Sequence, residues 1–399
     1  MKALNDNAHP LESLLQQHCP NGVEFKELGE VCETLPKGTL KTSQLTANGY
    51  PVINSGRDLY GYYSKFNNES NAFTIAARGE YAGFVNFMDS KFWAGGLCYP
   101  YRSNDENKLL TKFIYYHLKT NESNIMDSLV ARGSIPAINK KDIDKKLKIP
   151  LPPLEIQYKI VEILDAFTEL EAELEAELEA RLKQYHYYRN KLLSHDELEN
   201  RTAKSRNDSD PTPIVPYVRL GEVCEKVFAG GDLPKEYSKD KKPSGEFLYP
   251  IYSNGSDENS LYGFSKTYRI DAEAVTISAR GTIGFHTTRE AKFTPIVRLI
   301  TLIPNLNKIT NRFLNYALYT THIEKYGTSA GIPQLTIPML EKITIPLPPL
   351  SVQEEIVELL DKFDTLTNDL TSGIPAEIEA RKKQYEYYRE RLLSFIAKD

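Results

Sequence analysis

The sequence predicts an α+β fold: two globular domains of mixed short strands and helices, separated by two long helices that pack as an antiparallel coiled coil. Three observations predict this fold. The chain of 399 residues repeats itself internally. Each repeat ends in a long apolar stripe at helical spacing, and each begins with short β-type runs between turn residues.

The repeat is clearest in the predicted helices. The segment IPLPPLEIQYKIVEILDAF, which begins at Ile149, recurs from Ile345 as IPLPPLSVQEEIVELLDKF. The segment EARLKQYHYYRNKLLS ends at Ser194, and EARKKQYEYYRERLLS ends at Ser394. Matches of this length do not arise by chance, so the chain is an internal duplication.

The domains that precede these helices repeat more faintly. Four pairs of short motifs match: LGEVCE at 28–33 and 220–225, LYG at 59–61 and 261–263, TIAARG at 74–79 with TISARG at 276–281, and SIPAI at 134–138 with GIPQL at 331–335. Near-identical helices with diverged domains indicate that the helices keep one role while the domains vary.

The first long helix is predicted to start after Pro152-Pro153, because proline suits the first turn of a helix. Apolar residues then recur at spacings of three and four from Ile160 to Tyr185. A helix that runs to about Ser194 would be roughly 60 Å long, which is typical of a coiled-coil arm. The second copy is interrupted at 371–375, where glycine and proline break a helix.

The two apolar stripes can cover each other, but the tyrosine-rich helix ends span more than one face. Some of these tyrosines are therefore predicted to contact another protein. The candidates for partner docking are Tyr187, Tyr188, Tyr387 and Tyr388.

These features divide the chain into six predicted parts: an N-terminal segment (1–20), a first domain (21–149), a first long helix (150–195), a polar linker (196–216), a second domain (217–345) and a second long helix (346–399).

Charge is distributed unevenly along the chain. The net charge is −5, yet the two predicted domains each carry +3, whereas residues 150–200 carry −7 and residues 346–399 carry −4. A nucleic-acid interface depends on local charge, so the acidic total does not exclude DNA binding by the domains.

The remaining composition predicts a soluble cytoplasmic protein without metal or membrane sites. The 4 cysteines show no C-x-x-C spacing, and no histidine–cysteine cluster has metal-ligand spacing. No apolar run has the length of a signal-peptide core or a membrane span.

The duplicated helices, with their KQY.YYR ends, and the LGEVCE domain starts resemble the specificity subunit of type I restriction–modification enzymes. The resemblance covers essentially the whole chain in the order domain, helix, domain, helix. It implies two target-recognition domains that each read one half of a bipartite sequence in double-stranded DNA. It further implies helices that set the spacer and dock two methyltransferase subunits, with motor-nuclease subunits in the full complex.

No catalytic centre or cofactor site is predicted in this chain. The sequence has no Asn-Pro-Pro-aromatic tetrapeptide, no Gly-x-Gly cofactor loop and no G-x-x-x-x-G-K-S/T phosphate loop. The resemblance implies that S-adenosylmethionine and ATP with magnesium are bound by the partner subunits. Two rival functions are a protein scaffold without a DNA role, which the local charge disfavours, and a lone methyltransferase, which the missing motifs disfavour.

Two arginines, Arg78 in the first copy and Arg280 in the second, are the leading DNA-binding candidates. Each follows a strand-like run and precedes a glycine. They are predicted either to pair structurally with a carboxylate, to contact phosphate, or to read a guanine. Phosphate contact is favoured over base contact because the two copies should read different bases. Further candidates lie in turn-rich stretches that differ between the copies: Arg57, Lys91, Trp93, Asn254, Tyr262 and Lys266.

Residues 169–180 are three copies of Glu-Leu-Glu-Ala. Such a segment forms a helix with a solvated acidic face. One four-residue unit also adds about 6 Å to the helix and rotates the residues after it by roughly 40°, close to the rotation of one DNA base pair. The repeats are therefore a candidate spacer element.

Overall fold

The structure, a computed structural model, describes residues 17–131, 133–206, 215–328, 334–369 and 371–395. The chain forms two compact units, one of residues 1–175 and 377–399 and the other of residues 176–376. Each unit contains one predicted domain, the first part of the helix after it, and the last part of the other long helix. Most of the predicted segment 1–20 lies outside the described residues.

The first unit contains two small sheets and a strand pair. Its strands are β1 (Glu24–Glu27), β2 (Cys32–Thr34), β3 (Tyr50–Ile53), β4 (Gly61–Tyr63), β5 (Ala72–Ala76), β6 (Val85–Met88), β7 (Trp93–Ala94), β8 (Cys98–Ser103) and β9 (Lys148–Leu151). One antiparallel sheet has the order β2-β8-β5-β6, and the other has the order β4-β3-β7 with β3 and β7 parallel. Strand β9 pairs with β1 and so joins the two ends of the domain.

Short helices complete this domain: α1 (Leu28–Val31), α2 (Thr111–Thr120), α3 (Glu122–Leu129) and α4 (Lys140–Lys146). The stacked rings of Phe73 and Tyr101, 5.6 Å apart, lie in the core of the larger sheet. Phe113 and Ile114 of α2 are fully buried in the same core.

The second unit repeats this architecture. Its strands are β10 (Tyr217–Arg219), β11 (Cys224–Ala229), β12 (Tyr237–Ser238), β13 (Tyr249–Tyr252), β14 (Leu261–Ser265), β15 (Ala274–Ile277), β16 (His286–Arg289), β17 (Thr294–Pro295), β18 (Ile300–Pro304) and β19 (Thr344–Pro346). Its sheets have the orders β11-β18-β15-β16 and β12-β14-β13-β17, and β10 pairs with β19. The predicted α+β class and the duplication are thereby confirmed.

The remaining helices are α5 (Leu154–Leu192), α6 (His195–Arg206), α7 (Leu220–Val223), α8 (Asn311–Leu318), α9 (Ile337–Leu340), α10 (Leu350–Asn368) and α11 (Ile374–Leu392). In the first unit, the start of α5 packs against α11. The ring of Phe167 lies 5.4 Å from that of Tyr388, and Lys382 Nζ lies 3.1 Å from Glu175 Oε1. The contact residue on α5 moves from 167 to 175 while its partner on α11 moves back from 388 to 382, so these helices are antiparallel.

In the second unit, the end of α5 and helix α6 pack against α10. The rings of Tyr188 and Phe363 stack 5.5 Å apart, and Arg201 of α6 pairs with Glu355 of α10. These helices are also antiparallel, so the predicted pairing holds within each unit.

The second long helix is broken where the sequence predicts an interruption. Helix α10 ends at Asn368, and α11 begins at Ile374. Gly373 belongs to the break, and a Cβ atom there would lie only 2.5 Å from the Thr365 carbonyl oxygen. Only glycine allows this close approach of two backbone segments.

The structure differs from the predicted linker at 196–216. Residues up to Arg206 form α6, with Leu198 and Thr202 fully buried in the core of the second unit. A narrow stripe of two buried side chains on an otherwise charged helix gives little periodic signal, which is why the sequence pattern indicated a linker. Residues 207–214 lie outside the described part of the chain.

Candidate nucleic-acid interface

The Arg78-Gly79 turn lies at the end of β5, where two of the repeated motifs meet. Arg78 forms a β-bridge with Ala137. The Gly79 amide donates to the Pro136 carbonyl oxygen at 2.9 Å, and the Ile138 amide donates to the Ala77 carbonyl oxygen at 3.0 Å. The TIAARG and SIPAI motifs, far apart in the sequence, are thus hydrogen-bonded neighbours in the fold.

The second unit builds the same turn at the end of β15. Arg280 forms a β-bridge with Gln334, and the Leu335 amide donates to the Ala279 carbonyl oxygen at 3.0 Å. Gly79 and Gly281 have φ angles of +92° and +72°, and no atom lies within 4 Å of the position that a Cβ would take. Glycine is therefore needed for backbone conformation, and the turn faces open space.

Neither arginine is engaged by a carboxylate of the described residues. Arg78 is exposed and Arg280 is half-buried, and within the described parts of the chain neither guanidinium has a hydrogen bond or ion pair. This geometry disfavours the structural ion pair among the predicted alternatives. Two unpaired cations on matching turns are suited to binding an anion such as a phosphodiester.

A second loop tip lies beside each turn. In the first unit, the Ala77 amide donates to the Leu97 carbonyl oxygen at 2.8 Å, and the Leu97 amide donates to Asn54 Oδ1 at 2.9 Å. Lys37 Nζ donates to the Gly96 carbonyl oxygen at 3.1 Å and so fixes the tip further. Arg78 and Leu97 line one cavity of about 650 Å³.

In the second unit, Asn254 joins the turn to the tip. Its Oδ1 accepts from the Ala279 amide at 2.7 Å, and its Nδ2 donates to the Val297 carbonyl oxygen at 2.6 Å. Asn254 was predicted from its sequence context to contact DNA. The structure uses its side chain to hold the loops together.

The two predicted lysines are already paired. Lys91 Nζ lies 3.1 Å from Glu69 Oε2 and over the ring of Phe66, and Lys266 Nζ lies 2.9 Å from Glu246 Oε2. The hydrogen bond with Glu246 raises the pKa of Lys266 above its ordinary value. A paired cation has less to gain from a phosphate than an unpaired one.

The other candidates are spread over the two smaller sheets. Arg57 is exposed in the bend after β3, and Tyr262 of β14 packs 5.9 Å from Tyr237. Trp93 is half-buried edge-on against Tyr63, 5.1 Å away, and its Nε1 is buried without a hydrogen-bond partner in the described residues. The structure therefore places Trp93 as a packing residue.

The tyrosines at the helix ends divide into two pairs. Tyr187 and Tyr387 are 60% and 50% exposed. Tyr188 packs on Phe363, and Tyr388 packs on Phe167 within the helix pairs described above. Of these four tyrosines, Tyr187 and Tyr387 therefore expose the most aromatic surface.

No described group of three or more His, Cys, Asp and Glu side chains is arranged to hold a metal ion. In the same part of the chain, no helix is long and apolar enough to span a membrane.

Comparison with known proteins gives the same result for both halves of the chain. The type I restriction modification DNA specificity domain matches residues 20–184 and again 215–380. The chain belongs to this family of specificity subunits. Its helices and domains are therefore two copies of one specificity module.

Similar proteins cover nearly the full chain. A protein named as a type I specificity subunit in Mycoplasma pneumoniae is 36% identical over 335 residues, covering 81% of this chain and 93% of the relative. The specificity subunit of the Escherichia coli enzymes EcoR124I and EcoR124II is 31% identical over 406 residues, covering 94% of each chain. A crystal structure of a type I system S subunit from M. genitalium has a TM-score of 0.64 at 23% identity, covering 98% of this chain and 97% of that one.

Sequence reasoning missed the loop tips of both modules. Phe92 and Phe293 are fully buried at equivalent places, and counting forward from them sets Leu97 opposite Arg298. Both residues are exposed beside the arginine turn. An alignment anchored on these phenylalanines would have found them.

Proposed function

We propose that each unit of this specificity subunit reads one half of a bipartite sequence in double-stranded DNA. The observation that carries the proposal is the arginine–glycine turn, which appears in both units with a guanidinium that no described residue pairs. Phosphate contacts fix the register of a protein on the duplex, so the same contact is useful in both units while neighbouring residues read different bases.

The long helices set the non-specific spacer and bind two methyltransferase subunits. This part of the proposal is supported by the near-identity of the two helix sequences and by the exposed rings of Tyr187 and Tyr387 at matching positions. A surface that occurs twice in one chain suits two copies of one partner. Aromatic rings are enriched where proteins dock.

Catalysis belongs to the partner subunits. The methyltransferase subunits hold S-adenosylmethionine, and motor-nuclease subunits of the full restriction complex hold ATP and magnesium. This chain determines which DNA sequence the partner subunits act on.

The test is DNA binding by the chain reconstituted with its methyltransferase subunits, on duplexes identified by mapping the methylated sequence. Replacing Arg78 and Arg280 with alanine should weaken binding to all duplexes alike. Each lost phosphate contact should reduce the slope of log affinity against log salt by about 1.

The matched control is the Lys91→Ala, Lys266→Ala variant, which removes two cations that glutamates already pair. Its affinity and salt slope should stay close to those of the parent. A parent complex that bound every duplex equally at moderate salt would contradict the specificity role.

A further inference from the structure

The arginine turn cannot make the two units read different sequences, because both units have it. A difference has to come from side chains that vary between the copies, and a varying side chain beside the turn is placed to contribute to it. The loop tips satisfy this condition: the tip is Gly96-Leu97 in the first unit and Val297-Arg298 in the second.

The two tips are structurally equivalent. Strand β3 pairs with β7 just before the first tip, and β13 pairs with β17 in the same parallel sense just before the second. The bridges Gly38–Gly95 and Gly231–Ile296 then flank the tips in the same way. Leu97 and Arg298 therefore occupy the same place in the two folds.

The second tip is held in a strained conformation. Val297 and Arg298 have φ angles of +52° and +61°, a region that β-branched residues such as valine rarely adopt. Their amides donate to the Gly231 and Gly230 carbonyl oxygens, each at 2.9 Å, and Asn254 binds the Val297 carbonyl oxygen. Backbone strain that the surroundings enforce is typical of functional positions.

The strained tip places the side chain of Arg298 on the loop next to that of Arg280. Arg298 is exposed, and no hydrogen bond or ion pair to its guanidinium is found among the residues that the structure describes. Asn254 bonds the backbone next to Arg298 and the backbone next to Arg280 with one amide group. Within the described residues, the second unit thus places the unpartnered guanidinium groups of Arg280 and Arg298 on neighbouring loops, where the first unit places Arg78 beside Leu97.

We infer that Arg298 reads a guanine in the half-site of the second unit, while Arg280 contacts phosphate. Arginine donates two hydrogen bonds to the O6 and N7 atoms of guanine, which is the commonest specific base contact. Leu97 cannot make this contact and offers instead an apolar surface to the thymine methyl group. The inference rests on the proposed DNA-reading function.

The experiment compares Arg298→Ala, Arg298→Lys and Arg280→Ala in the full chain, reconstituted with methyltransferase subunits, by binding to a randomised duplex library and by mapping methylated sites. The two Arg298 variants should each relax one guanine position in one half-site, with roughly 5- to 150-fold loss of discrimination there. Lysine keeps the charge but not the two-pronged donor, so it should keep overall affinity better than alanine. Arg280→Ala should weaken all sequences equally.

The outcomes separate this inference from the proposed function. A parent complex with a defined bipartite sequence that Arg298→Ala and Arg298→Lys leave unchanged would overturn the role of Arg298 alone. A uniform loss of affinity in Arg298→Ala would also overturn it, because that result assigns the residue to phosphate. A parent complex without sequence preference would instead remove the proposed function.

Discussion

Gln157 and Gln353 make the same three hydrogen bonds in their two units. Gln157 accepts from the Leu110 amide at 2.8 Å and donates to the Lys108 and Pro152 carbonyl oxygens, both at 2.9 Å. Gln353 accepts from the Thr310 amide at 2.9 Å and donates to the carbonyl oxygens of Lys308 at 2.9 Å and of Pro348 at 2.8 Å. Both side chains are fully buried, so each fixes its domain to the start of the long helix after it.

Replacing Gln157 with leucine should therefore destabilise the first unit. The substitution leaves one buried amide and two carbonyl groups without their partner, at about 1 kcal/mol or more for each. We expect the free energy of unfolding, measured by denaturant titration, to fall by about 3 kcal/mol. Gln184→Leu, on the half-buried face of the same helix, is the control and should cost well under about 1 kcal/mol. Equal losses in the two variants would refute the role of Gln157.

The helix-end tyrosines should separate docking from folding. Tyr187→Ala with Tyr387→Ala removes the exposed rings and should weaken methyltransferase-subunit binding by about 2 kcal/mol per ring, with little change in melting temperature. Tyr188→Ala with Tyr388→Ala removes rings packed on Phe363 and Phe167 and should lower the melting temperature first. Calorimetric titration and thermal unfolding measure the two effects. Undiminished docking of the first variant would exclude this surface as the interface.

Two buried histidines should make stability fall with acid. Burial lowers the pKa of His117 and of His286 from 6.5 to about 4, and His117 Nδ1 has no hydrogen-bond partner in the described residues to receive a proton. Between pH 6.5 and 4 the unfolded chain binds more protons than the folded one. The free energy of unfolding should therefore be unaffected by these groups above pH 6.5 and fall below it, by up to about 1.4 kcal/mol per pH unit for each histidine.

The measurement is denaturant unfolding of the parent and of His117→Gln with His286→Gln across this range of pH. The glutamines cannot be protonated there, so the double variant should show a shallower decline. Parallel curves for the two proteins would show that these histidines do not cause the loss.

Deleting Glu173 to Ala176 should shorten the recognised spacer by about one base pair and leave both half-sites unchanged. Lys382 pairs with Glu171 and Glu175, which hold the same place in consecutive repeats. After the deletion, Glu179 takes the position of Glu175, so the pairing survives with a residual turn of roughly 40°. The axial change of about 6 Å exceeds the roughly 3.4 Å rise of one base pair, so bending of the arms or of the DNA absorbs the rest.

Methylation mapping measures the spacer of this deletion variant. The control deletion of Glu173 and Leu174 alone turns the residues after it by about 200° and should abolish specific modification. If the complex with the four-residue deletion methylated sites with the original spacer as efficiently as the parent, the repeats would have no spacer role and would form only a solvated helix face.

The sequence predicted those parts of the fold that repeat or have a strong period. The start of α5 after Pro152-Pro153 and the break before Ile374 followed from proline and glycine alone, because these residues act locally. Helix α6 was not predicted, because its burial of Leu198 depends on contacts with residues far along the chain. Local sequence propensity does not reveal such long-range contacts.

The candidate interface was predictable only in part. Arg78 and Arg280 were selected as candidates because their motif occurs twice. The pairing of Lys91 and Lys266 with glutamates, and the equivalence of Leu97 and Arg298, depend on how loops fold onto the smaller sheets. Their sequence separation hides both relationships.

Exchange of residues 21–149 for the corresponding domain of a related specificity subunit tests the central claim most directly. The retained helix keeps Gln157 and Asp165, so the incoming domain has to supply the groups that bind them. In the parent, Asp165 accepts from Tyr116 Oη at 2.5 Å and from Lys112 Nζ at 2.7 Å. The methylated sequence of the reconstituted complex is then mapped. We expect one half of the bipartite sequence to change while the other half stays as in the parent. A chimera in which both halves changed together would contradict independent reading by the two units.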